Sequence, residues 1–240
     1  MGERLDIHNS ETPVLCRSCE ARHQGICGAL KADELVEFAR HTRKERHEHG
    51  DELIGDSSTI HSYANIMRGV IKLSKVLEDG RQQVVGLQFA PDFLGRLFGR
   101  QSVLAAEAAS TVDLCIIPRT ALERMMATMP ALEHRLMQQT LRELDEARDW
   151  MVTLGRKTAQ EKVASFLYLI ARHADPTAEP EDGVSFELPL SRADVADFLG
   201  LTVETVSRQL TKLRQQGVVS ISNNRTVEIP DLEALQGLCG

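Results

Sequence analysis

The sequence has few aromatic residues, which make up 4% of its 240 positions, with one Trp and two Tyr. A platform that stacks single-stranded bases on aromatic rings is therefore not expected. An excess of positive charge is also missing, because 28 Lys and Arg stand against 35 Asp and Glu and leave a net charge of −7. A globally basic nucleic-acid coat is excluded, whereas a local basic face is not.

Long apolar runs and targeting signals are also missing. No run of 18 apolar residues occurs, so we expect neither a transmembrane helix nor a membrane partner. The start, MGERLDIHNSETP, lacks the apolar core and small-residue cleavage site of a secretory signal, and Asp6 stands where myristoylation needs Ser or Thr. We therefore expect a cytoplasmic protein whose five cysteines form no structural disulfides.

The composition and pattern that are present indicate a folded chain with a β domain. Apolar residues at 42% and charged residues at 26% exclude a wholly disordered protein. Residues 32–47 predict a short helix that leads into a strand. From about 48 to 118, short apolar runs alternate with turn signals, and Asp79-Gly80 between VIKLSKVL and QQVVGLQF is a strong hairpin signal. This spacing predicts a small barrel or roll.

A long helix is predicted next. From Arg119 to Leu154 there is no glycine, and only Pro130 interrupts the helix-forming residues. Apolar residues at coiled-coil spacing form a narrow seam, although Arg148 occupies its middle step, and a small alanine lies beside it. These residues are Met137, Leu141, Leu144, Ala147 and Met151. The seam predicts a helix that pairs with its own copy, and the alternative is an amphipathic helix that packs on its own domain.

Two short helices with a glycine turn are predicted between 191 and 216. Ser191 and Asp194 form a capping box, Gly200 ends the first helix, and Thr202 caps the second. The buried side of the second helix is predicted at Val203, Val206, Leu210 and Leu213. This is helix-turn-helix spacing, and GVVSISNNRTVEIPD predicts a hairpin after it.

The other side of the second helix carries residues that can read DNA bases. Glu204 can accept from cytosine N4, Arg208 can bind guanine O6 and N7 together, and Ser207 can reach a base. A surface ion pair between Glu204 and Arg208 is the alternative. Residues 191–225 carry five basic and three acidic side chains, a local charge of +2 that favours phosphate contact. Backbone or flanking contacts are predicted at Ser191, Thr202, Thr205 and Lys212.

The cysteines are unevenly placed, with three of the five in a C-x2-C-x7-C cluster. These three are Cys16, Cys19 and Cys27. With the distant Cys115 they form a set typical of soft metal ligands. Four thiolates suit an iron–sulfur cluster or a zinc site, and His23 could replace one of them in a zinc site. Alone, Cys115 would be a buried core thiol, and we expect Cys239 to be a spare exposed thiol on a loose tail.

The stretch DVADFLGLTVETVSRQLTKLRQQGVV resembles the winged helix of the CRP/FNR superfamily of bacterial transcription regulators, and GLTVETVSR is similar to its FNR branch. The resemblance covers nearly the whole chain. It implies a homodimer that binds double-stranded DNA at a palindrome related to TTGAT-N4-ATCAA. In the family, the residues that match Glu204, Ser207 and Arg208 read the half-site. The residues that resemble a family surface for RNA polymerase are Asp79, Gly80 and Arg81.

The stretch CRSCEARHQGIC, with Cys115 near the end of the β-roll, resembles the oxygen-sensing FNR-type regulators of alphaproteobacteria. The resemblance implies a [4Fe-4S] cluster held by Cys16, Cys19, Cys27 and Cys115. Ala108 and Ala109 stand where the cyclic-nucleotide binders of the superfamily carry Arg-Ser or Arg-Thr, so we expect no cyclic nucleotide. The resemblance further implies that oxygen loosens the helix pair. If Ala147 lies in the dimer interface, we expect the dimer to be less sensitive to oxygen than in relatives with an acidic residue there.

The predicted fold is α+β: an N-terminal β-roll of the cyclic-nucleotide-binding kind, a long dimerisation helix and a C-terminal winged helix-turn-helix. The predicted segments are a cysteine-rich cluster-binding segment at 1–31, the β-roll sensor domain at 32–118, the dimerisation helix region at 119–155 and the DNA-binding domain at 156–240.

The predicted function is an anaerobic transcription regulator of genes for low-oxygen metabolism. The alternative is a regulator of the same fold with a structural zinc site or another effector in place of an iron–sulfur oxygen sensor. An enzyme is not expected, because the sequence shows no nucleophile–base constellation, no phosphate loop and no dinucleotide fingerprint.

Overall fold

The computed structural model describes residues 13–17, 19–174 and 183–240. The stretch ADPTAEPEDG predicts a loop rich in proline and acidic residues over 174–183, and its residues 175–182 lie outside the described residues. Residues 1–12 and Ser18 of the predicted cysteine-rich segment also lie outside them.

The chain divides into two compact units. The first comprises Met1–Lys75 and Leu87–Leu144, and the second comprises Val76–Gly86 and Asp145–Gly240. The four segments predicted from sequence are a finer division, which stays a prediction.

Helices precede the β-roll and make up most of the chain after it. The α-helices are α1 (Val14–Arg17), α2 (Ala32–Arg40), α3 (Arg119–Thr128), α4 (Pro130–Arg156), α5 (Ala159–Ala174), α6 (Arg192–Leu199), α7 (Val203–Gln215) and α8 (Leu232–Gln236). Two 3-10 turns, Glu20–Arg22 and Ile26–Ala29, lie in the cysteine segment. Pro130 separates α3 from α4 as predicted, because proline suits the first position of a helix and cannot continue one.

The strands form three sheets within the described residues. They are β1 (Arg43–His47), β2 (Glu52–Ile54), β3 (Ser62–Arg68), β4 (Val70–Val76), β5 (Gln82–Phe89), β6 (Phe93–Leu94), β7 (Ala105–Ala108), β8 (Val112–Pro118), β9 (Val184–Glu187), β10 (Ser220–Ser222) and β11 (Thr226–Ile229). Two sheets, in the orders β1-β8-β3-β6 and β2-β7-β4-β5, form the predicted roll. The third sheet has the order β10-β11-β9.

Strand β8 carries Cys115 and lies inside one sheet of the roll. It pairs with β1 on one side and with β3 on the other, so that Lys44 and Asn65 both lie opposite Cys115. Strand β3 buries four consecutive residues, 63–66, and Asn65 is the polar one among them. A buried amide needs hydrogen-bond partners, and the Asn65 Nδ2–H has one in Cys27 Sγ.

The hairpin between β4 and β5 follows its sequence signal. Gly80 takes a left-handed conformation with φ of 84°, which a glycine adopts without steric cost. The Leu77 N–H donates to Arg81 O at 2.8 Å, and the Gly80 N–H donates to Leu77 O at 2.9 Å. The tight turn predicted at Asp79-Gly80 is confirmed.

The first unit has an apolar core that joins the cysteine segment to the helices. Ile26 of the segment is fully buried together with Phe38 of α2 and with Leu132 and Leu136 of α4. Cys27 packs against this cluster. Burial of a large aliphatic side chain is worth about 1.5–3 kcal/mol, so the cysteine segment is anchored by packing as well as by hydrogen bonds.

Both helices of the helix-turn-helix begin at the predicted N-cap residues, Ser191 and Thr202. The Asp194 N–H donates to Ser191 Oγ at 3.1 Å, and the Thr205 N–H donates to Thr202 Oγ1 at 3.2 Å. Gly200 ends α6 with φ of 61°, the left-handed conformation expected there.

One strand is shorter than predicted. The apolar stretch VSFELPL predicts a strand over residues 184–190, but β9 ends at Glu187. Pro189 lacks the N–H that a sheet ladder requires, which explains the early end. The α+β class, the N-terminal β sensor domain and the C-terminal helix-turn-helix are confirmed. Within the described ranges, no helix is both long enough and apolar enough to cross a membrane.

Candidate thiol cluster and DNA-reading helix

Tight turns shape the cysteine segment. Cys16 lies in α1, and the Cys19 N–H donates to the Cys16 carbonyl at 3.3 Å. The Arg22 N–H then donates to the Cys19 carbonyl at 3.2 Å. Only glycine fits at position 28, because a Cβ there would lie 2.3 Å from the His23 carbonyl oxygen. The backbone between the cysteines is therefore compact and closely specified.

The structure brings the four predicted ligand cysteines into one neighbourhood. Burial raises the pKa of the Cys16 thiol to about 11, and the nearby Cys115 and Cys19 thiols make smaller contributions in the same direction. Burial raises the pKa of the Cys27 thiol well above its usual value, and all three other thiols raise it further. Burial also raises the pKa of Cys115, and Cys19 adds to that shift. Each of the four thiols is therefore close enough to the others to affect their ionisation, although Cys16 and Cys115 are 99 residues apart in sequence.

Polar and cationic groups surround these thiols. The Asn65 Nδ2–H donates to Cys27 Sγ at 3.7 Å, from the strand position opposite Cys115. A hydrogen bond with the Thr42 side chain lowers the pKa of Cys115, and the charge of Lys44 lowers it as well. Metal-bound thiolates are stabilised by hydrogen-bond donors and positive charge of this kind. The set of donors thus fits a cofactor that is held by four thiolates.

His23, the alternative zinc ligand, has a more exposed environment than the four thiols. His23 is exposed, and its Nε2 is 2.9 Å from Nη2 of Arg22, with which it hydrogen-bonds. Across the described ranges, no three His, Cys, Asp or Glu side chains are grouped so that they could hold a single metal ion.

The prediction that Cys239 is an exposed thiol on a loose tail is wrong. Its Sγ donates to the Leu235 carbonyl at 3.5 Å, and its own carbonyl accepts from Ser165 Oγ at 3.4 Å. Burial raises the pKa of the Cys239 thiol. Cys239 is therefore held by contacts with α5 and α8. The contact with α5 is long-range in sequence and cannot be predicted from the neighbouring residues.

Helix α4 carries the predicted seam on an exposed face. The exposed fractions are 58% for Met137, 54% for Leu141, 44% for Leu144 and 72% for Met151. Ala147 is exposed on the same helix. The apolar residues that α4 buries are different ones, Leu132 and Leu136. An apolar row of this length is unusual on a free surface and indicates an interaction site.

Helix α7 presents the predicted base-reading residues to solvent. Val206, Leu210 and Leu213 are buried, whereas Glu204, Ser207 and Arg208 are exposed. One detail of the prediction is wrong, since Val203 was expected on the buried side and is 40% exposed. It begins the first turn of the helix, where fewer neighbours cover a side chain.

Glu204 is oriented by the start of α7. Its own backbone N–H and then the Thr202 side chain lower the pKa of the carboxyl group, which stays charged at neutral pH. Among the ion pairs of the described residues, none joins Glu204 to Arg208. The arrangement leaves the Arg208 guanidinium on the surface, as a base contact requires.

The residues predicted to contact the DNA backbone or flanking bases make different hydrogen bonds within the protein. Ser191 and Thr202 use their hydroxyls as helix caps, and Thr202 also donates to Thr205 Oγ1 at 3.1 Å. Lys212 is exposed, and its Nζ donates to Gln160 of α5 at 2.6 Å. Sequence reasoning missed Arg192, which donates to the Asn224 carbonyl at 3.4 Å and so ties α6 to the turn between β10 and β11.

The hairpin tip predicted to meet RNA polymerase is exposed. Asp79 and Arg81 bond to each other, with Arg81 Nε donating to the carboxylate at 2.8 Å. Their charges are thus partly matched within the turn itself. Surface ion pairs of this kind are weak, about 0–1 kcal/mol, so the pair can open to a partner.

A cavity of about 380 Å³ lies between the β-roll and α4. Its walls are mostly apolar, and its lining includes one basic side chain, Arg96, and one acidic side chain, Glu143. Ala108 and Ala109 are buried at 0% and 3% exposure. The expectation that no cyclic nucleotide binds stays a prediction.

Comparison with known proteins identifies this set of elements. The family model of the Crp-like helix-turn-helix domain matches residues 161–238. A probable transcriptional activator of Rhizobium leguminosarum bv. viciae is 54% identical over 97% of this chain and 96% of its own length. The transcriptional activator protein FnrL of Cereibacter sphaeroides is 40% identical over 94% of this chain and 93% of its own length.

The chain belongs to the FNR/FixK branch of the CRP/FNR family. The solved structure of FixK2 from Bradyrhizobium japonicum agrees with this, with a TM-score of 0.74 at 32% identity over 83% of this chain and 98% of FixK2. This FNR/FixK-family protein is a transcriptional activator that binds DNA through its helix-turn-helix, and it is not an enzyme.

Proposed function

We propose that this FNR/FixK-family activator is an oxygen-responsive homodimer that carries a [4Fe-4S] cluster and binds palindromes related to TTGAT-N4-ATCAA. The observation that carries the proposal is the gathering of Cys16, Cys19, Cys27 and Cys115 from a terminal segment and a distant strand. When bound, the cluster supplies a centre that oxygen can convert. The chain's own residues supply ligands, hydrogen bonds and packing around it.

Two parts of the fold hold the ligands. Cys115 is fixed by β8, whose register with β1 and β3 leaves it little freedom. The other three cysteines lie in a short segment whose anchor is Ile26, fully buried beside α4. Cys115 of the strand and the three cysteines of the segment would hold such a cofactor together, and without it the segment would lose this connection to the strand.

The dimer is proposed to form through α4. Its exposed apolar row runs from Met137 to Met151, and a second copy of the same helix is the occupant that the heptad spacing fits. Acidic and basic side chains flank the row, so two copies bring like charges close together and keep the equilibrium near balance. A bias of a few kcal/mol is then enough to switch the dimer.

Replacing Leu144 by Glu is expected to raise the dimer dissociation constant about tenfold or more, because two carboxylates then face each other in place of apolar contact. Analytical ultracentrifugation of iron-loaded protein measures this. Phe98→Glu is the matched control, since Phe98 is 68% exposed in a loop and lies off α4. A Leu144→Glu protein that dimerises like wild type would remove α4 from the interface.

Each protomer is proposed to read one half-site with α7. Glu204, Ser207 and Arg208 lie together on its exposed face, which is the arrangement that fits a major groove. Two-fold symmetry of the dimer then matches the symmetry of the palindrome. The tip at Asp79, Gly80 and Arg81 is proposed as a contact to RNA polymerase, and the cytoplasm is the location that this activity requires.

The test is DNA binding by the full-length protein with and without oxygen. We expect tight anaerobic binding to TTGAT-N4-ATCAA, loss of that binding in air, and weak binding to a control with five additional base pairs in the spacer. Five base pairs turn one half-site to the opposite face of the DNA. Equal affinity for both spacers would contradict a symmetric dimer. Binding that ignores oxygen, in protein that contains zinc, would favour the alternative.

A further inference from the structure

Arg135 of α4 contacts the cysteine segment directly. Its Nε donates to the Gly25 carbonyl at 3.3 Å, and its Nη2 donates to the Gln24 carbonyl. Both carbonyls lie between Cys19 and Cys27, and they are 110 and 111 residues from Arg135 in sequence. One guanidinium group therefore holds two successive peptide units of the segment that carries the cysteines.

The backbone that Arg135 holds is closely fixed. The Gly25 N–H donates to the Ala21 carbonyl at 2.9 Å. A Cβ on Gly25 would lie 3.0 Å from the Ala21 oxygen and 3.2 Å from the Pro91 oxygen, so the position has no room for a side chain. The two carbonyls thus have a defined place, and a planar guanidinium can bind both of them only while the segment keeps this conformation.

The same turn of α4 also packs on the segment. Leu132 and Leu136, on either side of Arg135, are buried at 0% and 1% in one cluster with Ile26. Arg135 itself is only half-buried, between that buried face and the exposed row that begins at Met137. An α-helix rises 1.5 Å per residue, so Leu144 lies about 14 Å along α4 from Arg135.

We propose that Arg135 is the positioning residue that couples the cysteine segment to the dimerisation helix. The inference rests on the proposed function and adds the physical connection between its two parts. With the segment held, Arg135 fixes the first turns of α4 and orients the apolar row for the partner copy. When the segment is released, both carbonyls leave the guanidinium, and α4 loses that constraint.

The test compares Arg135→Met with Arg124→Met in full-length protein reconstituted without oxygen. Methionine keeps the length and the apolar stem of arginine but cannot donate to a carbonyl. Arg124 is an exposed arginine of α3 that donates to the Thr120 carbonyl of its own helix, so it is a matched control. Arg135→Lys keeps the charge and a donor but not the fork.

Three measurements are made on each protein: iron and sulfide per chain, the dimer dissociation constant with and without iron, and amide hydrogen exchange over 20–27. For Arg135→Met we expect normal loading, faster exchange over 20–27, and an iron-loaded dimer weakened about tenfold, which corresponds to about 1.4 kcal/mol. The iron-free dimer constant should stay within about twofold of wild type. Arg135→Lys should lie between Arg135→Met and wild type, and Arg124→Met should match wild type.

The outcomes separate this inference from the proposed function. Normal loading of Arg135→Met with an unchanged iron-loaded dimer would overturn the role of Arg135 alone. Equal weakening of the dimer with and without iron would also overturn it, because the residue would then support α4 regardless of the segment. A wild-type protein that holds no iron would overturn the proposed function, and the coupling with it.

Discussion

Cys115→Ser is expected to reduce bound iron and acid-labile sulfide from about four of each per chain to near zero, since a [4Fe-4S] cluster needs four thiolates. Cys115 is the ligand furthest in sequence from the others, and β8 fixes it from both neighbouring strands. Serine is close to cysteine in size, so the strand should form normally. Anaerobic reconstitution followed by iron and sulfide analysis measures the effect, and circular dichroism checks the fold.

Cys239→Ser is the matched control for this prediction. Cys239 is also half-buried, but it contacts α5 and α8 in the second unit, whereas Cys115 lies in the first. We expect full loading of Cys239→Ser. The assignment of Cys115 would be contradicted by a Cys115→Ser protein that still binds iron and sulfide like wild type, or by loss of both in the Cys239→Ser protein.

Arg208→Met is expected to lower the affinity for the palindrome by about 1–3 kcal/mol at each half-site and to relax preference for the base pair that Arg208 reads. Its side chain is exposed on α7, where Val206, Leu210 and Leu213 form the buried face, so the fold should not change. Fluorescence anisotropy with the palindrome and with single base-pair substitutions measures both effects.

A phosphate contact would give a different pattern from a base contact. If Arg208 touched only phosphate, Arg208→Met would weaken all sequences equally and would reduce the salt dependence of binding. Arg124→Met, in α3 of the first unit, should leave DNA binding unchanged. A uniform loss across all tested sequences would therefore contradict base reading by Arg208.

The helix-turn-helix was predictable almost residue by residue because its signals are local. Ser191, Gly200 and Thr202 act within three or four residues of their own positions, and each does in the structure what its spacing indicates. The Asp79-Gly80 turn and the break at Pro130 are local in the same sense. Val203 was misjudged because exposure in a first turn depends on neighbours from other elements.

The surroundings of the thiols were not predictable because they come from distant parts of the chain. Asn65 reaches Cys27 across 38 residues, and Arg135 reaches Gly25 across 110. The only hint was the polar Asn65 within the apolar strand SYANIMR. A lone cysteine in a strand carries no signal of its own, so only the other three cysteines and the family resemblance make Cys115 a predicted ligand. The packing of Cys239 was not predictable either, because its partner Ser165 is 74 residues away in sequence.

The most direct test of the account measures iron, zinc and acid-labile sulfide in protein purified without oxygen, with visible spectra recorded before and after exposure to air. The account predicts about four iron and four sulfide per chain, and an absorption that bleaches in air. Zinc, or no metal, in protein that still binds the palindrome would contradict the oxygen-sensing role and leave a DNA-binding activator with a different effector.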